Sequence, residues 1–85
     1  MVEIAEGVLL VASYSDCSYF IVDLKNEKED FLNKGFSPYA LGLQKFPKFN
    51  IEKFPYVLAK EDDYLSIINV RSGSILRLMS MPTHN

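Results

Sequence analysis

Residues 16–26 (DCSYFIVDLKN) align without a gap on residues 62–72 (DDYLSIINVRS), which lie 46 positions further along the chain. The paired positions share apolar, charged or turn-forming character: Tyr19 with Leu65, Ile21 with Ile67, Val22 with Ile68, Asp23 with Asn69, Lys25 with Arg71, and outside the segment Val11 with Val57 and Leu32 with Leu78. An alignment of this length indicates an internal repeat. The 85 residues therefore contain two related units in one small domain.

Short apolar segments rich in Val, Ile and Tyr, separated by turn-forming residues, predict that both units are built from β-strands. The strands are expected at about 8–14, 18–24, 28–32, 39–45, 56–60, 64–70 and 75–79. No window carries apolar residues at helical spacing over three turns. We therefore expect an all-β fold of antiparallel hairpins.

A repeat of this length with three or four short strands per unit is typical of a β-propeller blade. The two units resemble degenerate WD-repeat blades of the kind found in citron-homology propellers. The resemblance rests on a turn aspartate (Asp16, Asp62), an alternating strand, and a run of Asp or Asn, an aliphatic residue and a base that ends at the Ser72-Gly73 turn. It implies two adjacent blades at about 7–32 and 38–80, followed by a tail at 81–85. A small self-contained antiparallel barrel or sandwich is the alternative.

The chain departs from the WD pattern in ways that matter. Val22 and Ile68 occupy the Trp positions, and neither unit has a Gly-His dipeptide, so the buried Asp–His–Ser–Trp network of those repeats is not expected. Residues 1–6 are too short for an inner strand and its loop, which leaves the first unit with three strands. A propeller needs about four to eight blades. We favour a piece of a longer propeller, with an oligomer that closes the ring or a compact small fold as alternatives.

The resemblance also assigns faces and turns. Tyr19 and Ile21, with Leu65 and Ile67, are expected on the side of the sheet that meets a neighbouring blade, and Val22 and Ile68 on the other. The structural turn residues are predicted to be Asp16, Asp62 and Gly73. Apolar faces are expected to remain open at both ends of the pair.

The segment 45–55 (KFPKFNIEKFP) interleaves three lysines with three phenylalanines and is the strongest candidate for a recognition surface. Its partner-binding residues are predicted to be Lys45, Phe46, Lys48, Phe49, Lys53 and Phe54. Aromatic rings and prolines on an extended loop suit a protein groove. Lysines interleaved with rings also suit single-stranded nucleic acid, and a surface loop whose rings cap the core is the plainer interpretation.

The sequence contains few of the residue combinations that catalysis requires. The chain has one His (His84) and one Cys (Cys17), no nucleophile–base arrangement and no phosphate-cradling glycine run, so we predict no catalytic residue, no metal site and no cofactor. The acidic run 61–63 is predicted to be a solvated hairpin turn rather than a calcium site.

Net charge, the length of the apolar runs and the cysteine count limit the classes of partner that we expect. Nine Lys and Arg against eleven Asp and Glu leave a net charge of −2, which makes nucleic acid an improbable partner. The apolar runs are too short for a membrane helix, and a single cysteine is typical of a reducing, cytoplasmic location. The expected function is a non-catalytic protein–protein interaction module that is part of a β-propeller scaffold. Its partner would be another protein, the remaining blades or a second copy in a homo-oligomer. The alternatives are a small nucleic-acid-binding β domain and an autonomous inhibitor-type β protein.

Overall fold

The computed structural model describes residues 1–13, 15–35, 40–61 and 64–78, and across these ranges the chain is all-β. Within these ranges, eight strands form two four-stranded antiparallel sheets, and within each sheet every strand pairs with its neighbour in the sequence. The predicted all-β class and the antiparallel pairing are confirmed. The strand ends predicted at Tyr14, Tyr39 and Met79 and the tail at 81–85 lie outside the described residues.

The first sheet has the order β1 (Val2–Ala5), β2 (Val8–Ser13), β3 (Ser18–Asp23) and β4 (Lys28–Lys34). The expectation that residues 1–6 are too short for an inner strand is wrong. A two-residue turn is enough to return the chain from β1 to β2, so a four-residue strand fits before it. The first unit therefore has four strands, as the second does.

The second sheet has the order β5 (Ala40–Lys45), β6 (Tyr56–Glu61), β7 (Tyr64–Asn69) and β8 (Ile75–Arg77). The bounds of β7 are those of β3 displaced by 46 residues, in agreement with the repeat. The main difference between the sheets is the connection between their first two strands, which takes two residues in the first sheet and residues 46–55 in the second.

The register corrects one pair of the sequence alignment. Leu9 lies opposite Val22 in the first sheet, and Val57 lies opposite Ile68 in the second. Because Val22 and Ile68 are equivalent in the repeat, Val57 takes the place of Leu9 and not of Val11. The offset changes because the β2–β3 connection is two residues longer than the β6–β7 connection.

The turns after β3 and β7 are built alike. Asp23 Oδ1 accepts the amides of residues 25 and 26 at 3.1 and 3.2 Å, and Asn69 Oδ1 accepts those of residues 71 and 72 at 2.9 Å each. Each turn ends with a residue at positive φ: Glu27 at +52° and Gly73 at +84°. Glycine adopts that conformation at little cost, and a Cβ on Gly73 would lie 3.0 Å from the Leu32 carbonyl oxygen. The second turn therefore also packs against β4 of the first sheet.

The core lies between the two sheets. It contains Ile4, Leu10 and Tyr19 from the first sheet, with Val57, Ala59, Ile68 and Val70 from or next to the second. Because side chains alternate along a strand, each sheet has an inner face in this core and an outer face directed away from it. We define the first outer face by Leu9, Val11, Phe20, Val22 and Phe31, and the second outer face by Tyr56, Leu58, Leu65, Ile67 and Leu76.

Equivalent positions of the repeat face in different directions: where one lies in the core, its equivalent lies on an outer face. Ile21 packs against the core, whereas its equivalent Ile67 lies on the second outer face. Conversely, Ile68 is fully buried in the core, whereas its equivalent Val22 lies on the first outer face. The sheets therefore pack head to tail, with one kind of face from the first sheet meeting the other kind from the second.

Candidate interaction surface

A shallow groove on the second outer face is lined only by apolar and aromatic side chains. Its walls are Phe46, Phe54, Tyr56, Ile67 and Leu76. Three of the rings contact each other edge to face: the centroids of Phe46 and Phe54 are 6.0 Å apart, and those of Phe54 and Tyr56 are 4.9 Å apart. Leu76 leaves 62% of its surface exposed and Phe54 leaves 40%. An uncovered groove of this composition is typical of a protein contact site.

The β5–β6 connection holds two of these rings in place through local hydrogen bonds. Asn50 Oδ1 accepts the backbone amides of Glu52 and Lys53 at 2.9 Å each. The backbones of Asn50 and Phe54 also exchange two hydrogen bonds, of 3.0 and 2.8 Å. The segment is thus a folded loop that returns Phe54 to the side of Phe46, which explains why residues eight positions apart share one wall.

The six residues predicted for partner binding are divided between two sides of the second sheet. Phe46 and Phe54 line the groove. Phe49 packs against the core, and Lys45 Nζ lies 5.4 Å from its ring centroid. Lys48 and Lys53 are exposed in the connection and do not line the groove. The interleaved lysines and phenylalanines therefore do not form a single surface.

A buried polar cluster joins the two sheets at the end of β6. The hydroxyl of Tyr19 donates to Glu61 Oε2 at 2.5 Å, and the hydroxyl of Ser66 donates to Glu61 Oε1. Arg77 Nε lies 3.6 Å from the same Oε1 atom. Glu61 is fully buried, so the prediction that it belongs to a solvated turn is wrong, while Asp62 and Asp63 lie outside the described residues. The polar partners around the carboxyl group compensate for its loss of water.

Burial has a second consequence in this cluster. Desolvation raises the pKa of the Tyr19 hydroxyl well above its ordinary value, and the adjacent Glu61 carboxyl raises it further. The chain backbone passes directly over the cluster, because a Cβ on Gly35 would lie 3.1 Å from Glu61 Oε2 and 3.2 Å from Tyr19 Cε2. The cluster is therefore closed on that side, and it joins the two sheets.

The first outer face is also apolar and uncovered. Phe20 and Phe31 lie opposite each other on β3 and β4 with ring centroids 5.9 Å apart, and Phe31 leaves 57% of its surface exposed. Leu9 and Val22 form the next pair on this face. Both ends of the two-sheet stack thus expose apolar side chains, as the sequence predicted.

The remaining candidate residues contribute no chemistry that the structure describes. Cys17 is half-buried in the β2–β3 turn at a φ of +51°, and the Asp16 side chain lies 3.5 Å from the Ser13 hydroxyl. His84 lies outside the described residues. Among the residues that are described, no group of three or more His, Cys, Asp or Glu is placed to hold a metal ion. Nor do these ranges contain a helix with the length and apolarity that crossing a bilayer requires.

Comparisons of the chain with protein-family models, with curated proteins and with solved structures gave no match.

The sequence prediction missed three walls of the groove: Tyr56, Ile67 and Leu76. Tyr56 and Leu76 were assigned only to strands, and Ile67 only to the side that meets a neighbouring blade, because a single sequence does not tell which face of a sheet stays uncovered. The repeat contains the signal that distinguishes them. Ile67 is equivalent to Ile21, which is packed on the inner side, so in a head-to-tail pair its position is the one left without a neighbour.

Proposed function

We propose that this chain is a non-catalytic protein–protein interaction module, organised as two blades of a β-propeller scaffold. One observation carries the proposal: the aromatic groove on the second outer face, whose lining side chains are all apolar or aromatic, with Phe54 and Leu76 exposed and the other three half-buried. Rigid aromatic residues at the centre of an apolar patch are the groups that contribute most to protein binding.

The blade arrangement is supported by three features. Each unit is a four-stranded antiparallel meander, the two units are related by the 46-residue repeat, and the two sheets stack head to tail. Propeller blades stack in this manner around their axis. A cytoplasmic location fits the single cysteine, although the fold itself makes no demand on location.

The division of the 45–55 segment weakens the nucleic-acid alternative. Stacking of successive bases needs several rings on one basic surface, whereas Phe49 packs against the core and Phe46 and Phe54 face an apolar groove. Salt-dependent binding of single strands, lost on replacing Phe46 and Phe54 by Ala, would overturn the protein-interaction proposal.

Site-directed photo-crosslinking tests the proposal. A photoreactive phenylalanine analogue is placed at position 76, in the groove, and in a matched control at position 52, which is exposed in the β5–β6 connection. We expect a protein to be crosslinked from position 76 and not from position 52, and recovery to fall more than about tenfold when Ile67 is replaced by Lys in the same bait. Equal labelling from both positions would contradict the proposal, as would turnover of a substrate by a chain that binds no protein.

A further inference from the structure

The two outer faces are the same two kinds of surface that already pack against each other inside the chain. Ile21 and Leu10 of the first sheet contact the core, and their equivalents Ile67 and Leu58 form the second outer face. Ile68 belongs to the inner face of the second sheet, and its equivalent Val22 belongs to the first outer face. Inside one chain, the inner face of the first sheet packs against the inner face of the second. The second outer face is of the same kind as the first of these inner faces, and the first outer face is of the same kind as the second. The second sheet of one copy could therefore pack on the first sheet of another copy in the same way.

We propose that the groove face binds a second copy of this chain, head to tail, with the second outer face of one copy covering the first outer face of the next. The inference rests on the proposed function, because it names the partner of the same surface. It commits to one interface between two different faces rather than to contact between two identical ones.

The side chains at the cluster positions support this assignment. Inside the chain, Tyr19 meets Ser66 and Arg77 around the carboxyl group of Glu61. The equivalent outward positions carry Leu65 on one face and Phe20 and Phe31 on the other. The polar groups have been replaced on both faces at once, and the smaller Leu65 is matched by the larger rings. The positions equivalent to the cluster would therefore meet as apolar side chains at the junction between copies.

Burial differs between the equivalent positions Val70 and Leu24 as an absent neighbour requires. Val70 is 6% exposed and belongs to the core, whereas its equivalent Leu24 is 58% exposed. Leu76, in β8 of the second sheet, is 62% exposed, and Phe31, in β4 of the first, is 57% exposed. Each of these large apolar side chains would lose contact with water if a further sheet were added at its end of the stack.

The charge distribution along the chain also favours contact between different halves of two copies. Residues 1–34 contain three lysines against seven Asp and Glu, and residues 35–85 contain six Lys and Arg against four Asp and Glu. Glu3 and Glu29 flank the first outer face, opposite Leu9 and Val22 respectively. A contact between the acidic half of one copy and the basic half of another is attractive, whereas two acidic halves repel each other.

A head-to-tail interface leaves one free face at each end until the assembly closes. If the rotation between copies repeats the one between the two sheets, the product is a ring, and otherwise it is a filament. With two sheets per chain, a ring of ordinary propeller size would contain about two to four copies.

Two variants separate this assembly from every other. Phe31→Lys changes only the first outer face and Leu76→Glu only the second, and both replace exposed side chains, so we expect both variants to fold, which circular dichroism checks. By light scattering we expect the unmodified chain at two or more times the 9.7 kDa monomer mass, and each variant alone at the monomer mass. An equimolar mixture of the two variants retains one intact interface and is expected to form a dimer with one copy of each.

Control variants and contrary outcomes complete the test. Glu52→Lys and Lys48→Glu change charge in the β5–β6 connection and are expected to leave the assembly mass unchanged. A folded monomer of the unmodified chain, or an unfolded one by circular dichroism, overturns the inference. An assembly that Leu76→Glu dissolves and Phe31→Lys does not also overturn it, since two copies would then meet through identical faces. In each case a foreign protein crosslinked from position 76 would leave the proposed function standing.

Discussion

The two sheets have the same strand order and the same turn after their third strand, yet the positions that are buried in one are less buried in the other. Val70 and Ile68 of the second sheet are covered, and their equivalents Leu24 and Val22 are not fully covered. Sequence alone makes these pairs look alike, because each pair is aliphatic. The difference shows that burial here is decided by the position of a sheet in the stack rather than by the residue type at each site.

The polar cluster provides the largest test of this comparison. Glu61→Ala removes the acceptor for Tyr19 and Ser66 and leaves Arg77 beside a void, so we expect a loss of about 3 kcal/mol in the free energy of unfolding. Glu61→Gln retains a carbonyl acceptor and should cost less. Urea denaturation measures the free energy of unfolding of both variants.

The matched control for the cluster is Glu52→Ala, at an exposed position, which we expect to change stability by no more than about 0.5 kcal/mol. If Glu61→Ala behaved like Glu52→Ala, the carboxyl group would not be holding the two sheets together, and the cluster would have to be reinterpreted.

The equivalent aliphatic pair gives an intermediate effect. Val70→Ala leaves a cavity between the sheets and should cost about 2 kcal/mol, whereas Leu24→Ala, at a position 58% exposed, should cost about 0.5 kcal/mol or less in the monomer. Thermal or urea unfolding at two protein concentrations sharpens the comparison. A cost of Leu24→Ala that grows with concentration would indicate that another sheet covers this position, and equal costs for the two variants in the monomer would contradict the burial pattern.

The paired turns give the smallest effect, and it depends on pH. The side-chain amide of Asn26, which donates to Asp23 Oδ2 at 2.8 Å, together with backbone amides, holds the pKa of Asp23 below its ordinary value. A carboxylate with a lowered pKa in the folded state stabilises it above the unfolded pKa of about 3.9, and this stabilisation is lost as pH falls through the folded value.

We therefore expect Asp23→Asn to reduce the loss of stability between neutral pH and about pH 3, because an amide does not titrate there. The swap Asn69→Asp should introduce an acid-sensitive component into the second turn, which has the same geometry. The midpoint of urea unfolding at the two pH values is the measurement. If stability fell equally with pH in the unmodified chain and in both variants, the charge of the first residue of these turns would not contribute to stability.

Much of the fold could be predicted from the repeat. The third strand of each unit, the turns that follow it and the all-β class were all indicated by residues 16–26 and 62–72, because alternation and turn chemistry act locally. β1 was missed because the inner strand of the second unit is followed by a ten-residue connection, whereas Gly7, at a φ of +73°, allows the first unit to turn within two residues.

The buried carboxyl group could not be predicted from local pattern. Glu61 begins an acidic run, and its partner Tyr19 lies 42 residues earlier in the chain. The repeat did contain a trace of the cluster, since Tyr19, Ser66 and Arg77 are polar where their equivalents Leu65, Phe20 and Phe31 are apolar. Three coordinated departures from a repeat point to one contact, but only a structure shows which carboxyl group they meet.

The strictly sequential pairing of strands has a consequence for how the chain folds. Because each strand hydrogen-bonds only to its neighbours in the sequence, both sheets can assemble through closure of short loops, which is the fast part of β-sheet formation. We expect docking of the two meanders to be the slow, long-range step, at which Glu61 would lose its water. We expect Glu61 variants to act mainly on this late event and to leave the earlier hairpins unaffected.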